Sequence, residues 1–553
     1  MKPNILFVNL PNIAVDLSSR GASSNSFLTL HKALPMGILY LSSYIKRHND
    51  IGSVGLVDYV AGFEQINDCA SVGDFAAKIA SRHADAAPDL ILVSLIFSIS
   101  HDFGLQVIEA LHQLFPRARV VVGGTHATNY TAGLLEHSFI DYVVRGEGEK
   151  GLSRFIEQFS DNQEIAVRGI YSKATLPQGQ ALELCDFVVD LDEIPFPDWD
   201  LVDMDIYTRA SFVTLKERVQ DESGAVRSIP ILATRGCPLK CTYCSQHTVH
   251  GRSLRYRSVG NVLDEMRLLH DKYKVTTFIP LDDMFISNKQ RVLRLLAAIK
   301  DLRIPGLELQ FPNALHINSL DPALIDALAN AGTQIAYLAV ESGSDHVQKH
   351  IIKKGVNLRK TREVVAYFHE KGVSVRCFFI LGFPGETQEQ MQETVDFANS
   401  LNADWVDFFV ATPLLGTEMF DQFVDMGYLS RHEPVWKQAY VRGRHFDTKE
   451  IGADALVEFA YRANLKCNFI ENGNVRAGNY ARAISLLDSV LFRYPFHLGA
   501  LYAKIECYKG MGYAKDVEEL TREVKRLIRT NPLAADMCAK YNDLFQFGAE
   551  VVG

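Results

Sequence analysis

No apolar run in these 553 residues is long enough to cross a bilayer, which excludes a membrane-spanning helix. The amino-terminal run Ile5-Leu6-Phe7-Val8 turns polar at Asn9, too soon for the apolar core of a secretory leader, and reads as a first strand. Basic charge is also scarce: Lys and Arg number 57 against 66 Asp and Glu. A net charge of -9 without a clustered basic field argues against nucleic acid as the main partner. Cysteine is too sparse for a disulfide framework. Of nine, only Cys237, Cys241 and Cys244 cluster, while Cys69, Cys185, Cys377, Cys467, Cys507 and Cys538 are scattered. A reducing cytoplasm suits that usage. Hydrophobic content of 47% and a mean hydropathy of -0.01 place the chain among soluble globular proteins, with length for about three domains.

What is present centres on Cys237-Pro238-Leu239-Lys240-Cys241-Thr242-Tyr243-Cys244, directly after the apolar run Ile229-Pro230-Ile231-Leu232. Three thiolates so close at a strand end can converge on one soft metal centre. With three protein ligands, one iron of a four-iron cluster stays open, and an open iron can chelate a substrate. Zinc is the alternative, and His247 and His250 are near enough to complete such a site.

Strand and helix patterns alternate on both sides of the triplet. Before it, strands at Ile5–Asn9, Gly55–Val60, Leu90–Ser94 and Val120–Val122 are separated by helical stretches near 37–48, 74–84 and 103–115, the pattern of a doubly wound parallel sheet with ligands at the strands' carboxyl ends. Two loops there are rich in glycine: Gly123-Gly124-Thr125-His126 and Arg145-Gly146-Glu147-Gly148-Glu149. After it, strands at 229–235, 276–281, 307–311, 335–340, 374–381 and 405–410 alternate with helices, as in a partial (β/α)6 barrel. Asp282 and Asp283 end the second of these strands, and Glu341 ends the fourth after four apolar residues. A buried carboxylate there needs donors. Between the two regions, Ile194-Pro195-Phe196-Pro197-Asp198-Trp199 reads as an extended linker. Beyond 445 the strand signals stop, and Gly478 to Gly512 has the placements and period of one tetratricopeptide-like unit, expected to dock on the barrel or on a helix near 453–469. The expected boundaries are 1–160, 161–225, 226–440 and 441–553.

The C-x3-C-x2-C triplet with its aromatic Tyr243 resembles the signature of radical S-adenosylmethionine (SAM) enzymes. Joined to GGTHAT and RGEGE, it resembles the group in which a Rossmann-like cobalamin-binding domain precedes the radical SAM barrel. The resemblance covers roughly residues 1–420. It implies a 4Fe-4S cluster on Cys237, Cys241 and Cys244, SAM, and cobalamin beside Gly123, Gly124, Thr125, His126 and Glu147. It further implies SAM contacts from Tyr243, Asp282 (ammonium), Glu341 (ribose), Arg376 (carboxylate) and Gly382 (adenine). No D-x-H-x-x-G motif supplies a cobalt-ligating imidazole; Asp16-Leu17-Ser18-Ser19-Arg20-Gly21 has Ser18 in that place. The activity implied is methyl transfer to an unactivated carbon or a phosphinate phosphorus, through a 5′-deoxyadenosyl radical and methylcobalamin. Radical cyclisation or ring rearrangement would use the same parts, and a non-catalytic cobalamin or redox sensor is the alternative from another class. The partners implied are a small-molecule or peptide substrate and an external reductant such as flavodoxin or ferredoxin. Methylthiotransferases carry further cluster cysteines, and Cys69 and Cys185 do not make such a set.

Overall fold

A computed structural model describes residues 2–12, 32–159, 165–209, 226–440 and 443–545, so the Asp16–Gly21 stretch lies outside the described residues. Strands β1 (Ile5–Asn9), β2 (Val54–Asp58), β3 (Leu90–Ser94), β4 (Arg119–Gly123) and β5 (Tyr142–Val144) form a parallel sheet in the order β2-β1-β3-β4-β5. Leu6 and Val8 of β1 enter one core, and Ile5 and Phe7 enter another on the opposite face. A strand covered on both faces must be apolar throughout, which is why it lacks a polar alternation. The order reverses between β1 and β3, and a crevice opens there at the carboxyl ends.

A sixth strand, β6 (Ile170–Tyr171), adds antiparallel to β5. The first domain therefore runs past the boundary expected at 160, because the short strand pattern near 170 belongs to this sheet. The helix Met36–His48 serves two cores: Ile38 and Ile45 face their own sheet, whereas Met36, Leu39, Tyr40 and Tyr44 pack with Met266 and Leu269 of the following domain. The linker pins this helix in place. Asp198 accepts from Ser42 Oγ and Lys46 Nζ, both at 2.5 Å, and Asp192 accepts from the Ser258 N–H at 2.8 Å.

The second domain has six parallel strands in two halves. One half is β7 (Ser228–Ile231), β10 (Thr277–Pro280) and β11 (Glu308–Leu309); the other is β12 (Ile335–Glu341), β13 (Ser374–Leu381) and β14 (Trp405–Val410). A bridge between Leu315 and Leu338 joins them. The partial barrel is as expected, with one local difference. The strand anticipated at 229–235 breaks after Ile231, because the Asp282 carboxylate takes the Ala233 N–H at 3.0 Å. Thr234–Arg235 (β8) then pairs antiparallel with Arg255–Tyr256 (β9) as a hairpin.

The barrel helices start where their sequences offer an acceptor. Ser258, Asn288, Asp321, Asn357 and Thr387 each accept from the N–H three residues on. Each such cap contributes about 1 kcal/mol. Residues Leu338, Val340, Val375, Cys377 and Phe379 face these helices in the main core. By strand alternation Tyr337, Arg376 and Phe378 lie on the opposite, inward face.

The carboxyl-terminal region is helical. The helix Ala453–Leu465 and the turn Lys466–Ile470 lie along edge strand β14, where the Asn468 amide bonds both the N–H (2.9 Å) and the carbonyl (2.7 Å) of Val406. The pair Tyr480–Arg493 and Leu498–Met511 follows, with Gly478 and Gly512 both left-handed at equivalent helix ends. A second pair, Ala514–Thr530 and Pro532–Phe545, extends the same core.

Candidate active site at the facing sheet ends

The cysteine loop leaves β8 at Gly236, whose backbone is left-handed; a side chain there would meet the Ser253 carbonyl at 2.3 Å. Thr242 holds the middle of the loop. Its N–H and hydroxyl donate to Ile352 O (3.1 Å) and Ile351 O (3.0 Å), and its carbonyl accepts from the Met419 N–H at 2.8 Å. The three thiols are partly exposed and free of disulfides. Among the described residues no three His, Cys, Asp or Glu converge on one ion. Of the two histidines that a zinc site would use, His247 Nδ1 pairs with Cys244 O at 3.0 Å, and His250 Nδ1 with Glu147 Oε1 at 2.7 Å. Burial pushes all three thiols up, Cys244 to about 11, so a bound metal would have to displace protons.

Tyr243 and Glu341, assigned separately from sequence, are in direct contact: the Tyr243 hydroxyl donates to Glu341 Oε1 at 3.0 Å. The donor that a buried Glu341 required is mainly Lys354, whose ammonium lies 2.7 Å from the same oxygen and 2.9 Å from Ala339 O. The Lys354 and Glu341 side chains are 7% and 9% exposed. Glu341 has φ +71°, at a bulge in the β12–β13 ladder. That left-handed backbone costs roughly 1–2 kcal/mol in a residue with a Cβ. Lys354 escaped the sequence reading because Lys353-Lys354 looks like an ordinary surface pair; only the first is exposed.

Two of the expected SAM contacts, Asp282 and Arg376, need correction. Asp282 is fully enclosed, bonded to the Ala233 N–H, and raised to about 6 by burial, with hydrogen bonds from Thr234 and Ala233 and the Arg291 charge pulling the other way. It braces the strand end and cannot receive an ammonium; its neighbour Asp283 is the carboxylate whose charge reaches Cys237 and Cys244. Arg376 is clamped by both oxygens of Asp407 at 2.5 and 2.8 Å. It also lies six residues before Gly382, about 20 Å along the strand from the carboxyl end. Gly382 does sit at that end, its N–H on Glu386 Oε2 (2.7 Å), its carbonyl accepting from Arg444 (3.0 Å), and Leu456 filling the space a side chain would take.

Across the interface, Gly124 has φ +110°, and a Cβ there would lie 2.5 Å from Leu95 O, so this glycine serves an internal close approach. Gly123 differs: a Cβ would meet only Val144, at an ordinary 3.7 Å. Among the described residues nothing else comes within 4 Å of that position, and the half-exposed Ile96 and Phe97 follow the neighbouring strand β3. An apolar, open floor with a bare backbone suits the edge of a corrin. Thr125 opens the helix Thr125–Asn129, partly exposed.

His126 is buried, and both its ring nitrogens are used, by Ser98 Oγ and His101 Nδ1, each at 2.9 Å. Burial holds it down to about 3 and His101 to about 4, so both are neutral. It is a brace without a nitrogen to offer cobalt. Trp436 stacks on His101 at 3.9 Å between centroids and donates to Asp102 at 3.3 Å. Glu147 is likewise spoken for, by Arg255, Arg235 and His250 of the second domain. Asn129 Nδ2 completes the junction by donating to Thr248 Oγ1 at 2.9 Å, so the glycine loops touch the segment that follows the cysteines.

The B12 binding domain family matches residues 31–156, and the Radical SAM superfamily matches residues 231–398. The chain is 27% identical over 444 residues to cytidylyl-2-hydroxyethylphosphonate methyltransferase of Streptomyces wedmorensis, covering 74% of this chain and 81% of that one. Its fold is shared by the radical SAM methyltransferase TsrM of Kitasatospora setae, solved with cobalamin and a [4Fe-4S] cluster (TM-score 0.58, 19% identity, 76% and 77% of the two chains). It is also shared by the cobalamin-dependent SAM radical enzyme OxsB, solved with aqua-cobalamin and SAM (TM-score 0.58, 15% identity), over 99% of this chain, helical end included, and 75% of that one. With the cysteine loop in the second matched segment and the open glycine floor in the first, the chain belongs to the radical SAM enzymes that carry a B12-binding domain.

Proposed function

We propose that this enzyme transfers a methyl group to an unactivated carbon or a phosphinate phosphorus of a small-molecule or peptide substrate. The observation that carries the proposal is the junction itself: the helix after the glycine pair is bonded to the segment after the cysteine triplet through Asn129 and Thr248. That contact sets the loop at the carboxyl end of β4 against the cysteine segment, and passing a group between two cofactors demands that their sites be neighbours. The phosphonate methyltransferase relative supports the same chemistry.

When bound, the cluster supplies the electron that cleaves SAM, and the corrinoid supplies the methyl group. The chain's own residues hold and orient. Cys237, Cys241 and Cys244 take the irons. The Tyr243–Glu341–Lys354 triad offers Glu341 Oε2 to the ribose, with Lys354 fixing the carboxylate's other oxygen. Asp283 is the acceptor for the ammonium, in place of Asp282. The Gly382–Gly385 loop, held by Glu386 and Arg444, supports the adenine. Ile96, Phe97 and Gly123 floor the corrin. The electron comes from an external carrier such as flavodoxin or ferredoxin, in a reducing cytoplasm. Among the described residues no helix is long and apolar enough to cross a membrane.

The test is anaerobic quantitation of both adenosyl products in reduced, fully loaded enzyme. Methyl transfer supplied by SAM consumes one SAM to recharge the corrinoid and another to make the radical. S-adenosylhomocysteine and 5′-deoxyadenosine should rise together. A cyclase would give 5′-deoxyadenosine without coupled S-adenosylhomocysteine, and a sensor would give neither.

A further inference from the structure

The RGEGE loop does something at the domain junction that cofactor binding does not explain. Glu147, whose side chain is 3% exposed, accepts from Arg255 at 2.6 and 2.7 Å, pairs with Arg235 at 3.2 Å, and bonds His250 Nδ1 at 2.7 Å. Glu149 takes Arg235 from the other side at 2.7 Å. The two arginines are 7% and 8% exposed. Burial alone would raise the Glu147 carboxyl; the Arg235 charge and the hydrogen bonds from Arg255 and His250 more than offset it and hold the group ionised.

The cations are not scattered over the second domain. Arg235 and Arg255 are directly paired residues on the two arms of the β8–β9 hairpin, and Cys237 is two residues beyond Arg235. Residues 250 and 251 close the loop: His250 O accepts from Arg255 at 3.1 Å, and Gly251 O from the Cys237 N–H at 3.4 Å. Glu147 therefore grips both roots of the cysteine loop. On its own side the grip is anchored to the glycine-pair helix, because Thr128 Oγ1 accepts from the Gly146 N–H and Thr128 O from Arg145 Nε, both at 3.0 Å.

Buried ion networks add little net stability over apolar packing, since desolvation offsets most of the attraction; in some proteins what they contribute is a single fixed arrangement. We propose that Glu147 is a positioning residue, which registers the cysteine loop, and hence the cluster, against the B12-binding domain through Arg235 and Arg255. The inference rests on the assignment of the three cysteines as cluster ligands.

The test compares wild type, Glu147→Gln, Arg255→Lys and, as a control, Asp404→Asn. Asp404 is an equally buried carboxylate, bonded to Val375 N, His369 and Asn474 at the opposite end of the barrel. Each full-length protein is loaded with iron, sulfide and hydroxocobalamin. The readouts are iron loss to a chelator, the electron paramagnetic resonance spectrum of the reduced cluster with SAM, bound corrinoid, and thermal midpoint. Glu147→Gln should lose iron about ten- to a hundredfold faster, the range for groups that orient metal ligands, and show a broadened spectrum at unchanged corrinoid content. Arg255→Lys keeps the charge but loses the fork; it should shift in the same direction, and it decides the matter if Glu147→Gln fails to fold. Asp404→Asn should lower the midpoint and leave the cluster untouched. Iron loss and spectra in Glu147→Gln and Arg255→Lys that match Asp404→Asn would overturn the proposal, reducing Glu147 to an ordinary interface charge. A wild type that holds no cluster would overturn the ligand assignment first.

Discussion

Replacing Glu386 by Gln should make the enzyme's stability less sensitive to pH, in a direction fixed by how this carboxyl is housed. Glu386 is 1% exposed; Oε2 accepts the Gly382 and Phe383 N–H groups at 2.7 and 3.0 Å, and Oε1 has no partner among the described residues. Burial raises the group from its ordinary 4.5 to about 8, against the pull of the Phe383 and Gly382 donors and the Arg444 charge. A folded value above the unfolded one means that the native state holds the proton more tightly. The resulting stability is fully present below about pH 4.5 and is lost as pH rises through 8. Between pH 6 and 8 the loss is about 2.3 kcal/mol, a little under two pH units at about 1.36 kcal/mol each because the folded group is half ionised at pH 8. In Glu386→Gln the amide oxygen keeps the two backbone donors and nothing titrates. The difference in urea unfolding free energy between variant and wild type should therefore move in the variant's favour by that amount from pH 6 to pH 8. A difference that stays constant across this window would show that Glu386 is already ionised at pH 6, and the reasoning about its burial would fail.

Replacing any of Cys237, Cys241 or Cys244 by Ala should abolish cluster absorbance in a folded protein, whereas Cys377→Ala, Cys467→Ala and Cys507→Ala should load iron normally; cluster retained by a triplet variant would refute its role as ligand. Lys354→Met strands a buried Glu341, and breaking a buried pair from one side costs about 3–5 kcal/mol. Urea titration checks this, with Glu341→Gln/Lys354→Met expected to recover part of the loss. Glu341→Ala should leave the cluster intact and weaken SAM by about 1–3 kcal/mol, the range for lost hydrogen bonds to a charged group, read by equilibrium binding; unchanged affinity would return Glu341 to a structural role.

Much of the fold was legible because its elements are locally specified. The barrel helices begin at side chains that cap them, and the strands are apolar runs of the right length between them. The β7–β8 break was not legible, since it depends on a hydrogen bond from Ala233 to Asp282, 49 residues away. The cysteine triplet could be read because its chemistry is local. Lys354, Arg235 and Arg255 could not: each looks like a surface cation until the partner that buries it is known. His126 and Glu147 were found for the wrong reason. Their motifs do mark loops at the domain junction, but every polar atom of those two side chains is turned to the protein's own scaffold.

The central claim is that SAM bound at the cysteine loop and a corrinoid on the glycine floor share one cleft. It is tested most directly by mass spectrometry of the corrinoid after anaerobic incubation of loaded, reduced enzyme with SAM carrying a trideuteromethyl group. The predicted result is a protein-bound corrinoid whose mass has gained that labelled methyl, formed alongside S-adenosylhomocysteine. A corrinoid retained but never labelled, or a protein that retains no corrinoid at all, would contradict the claim.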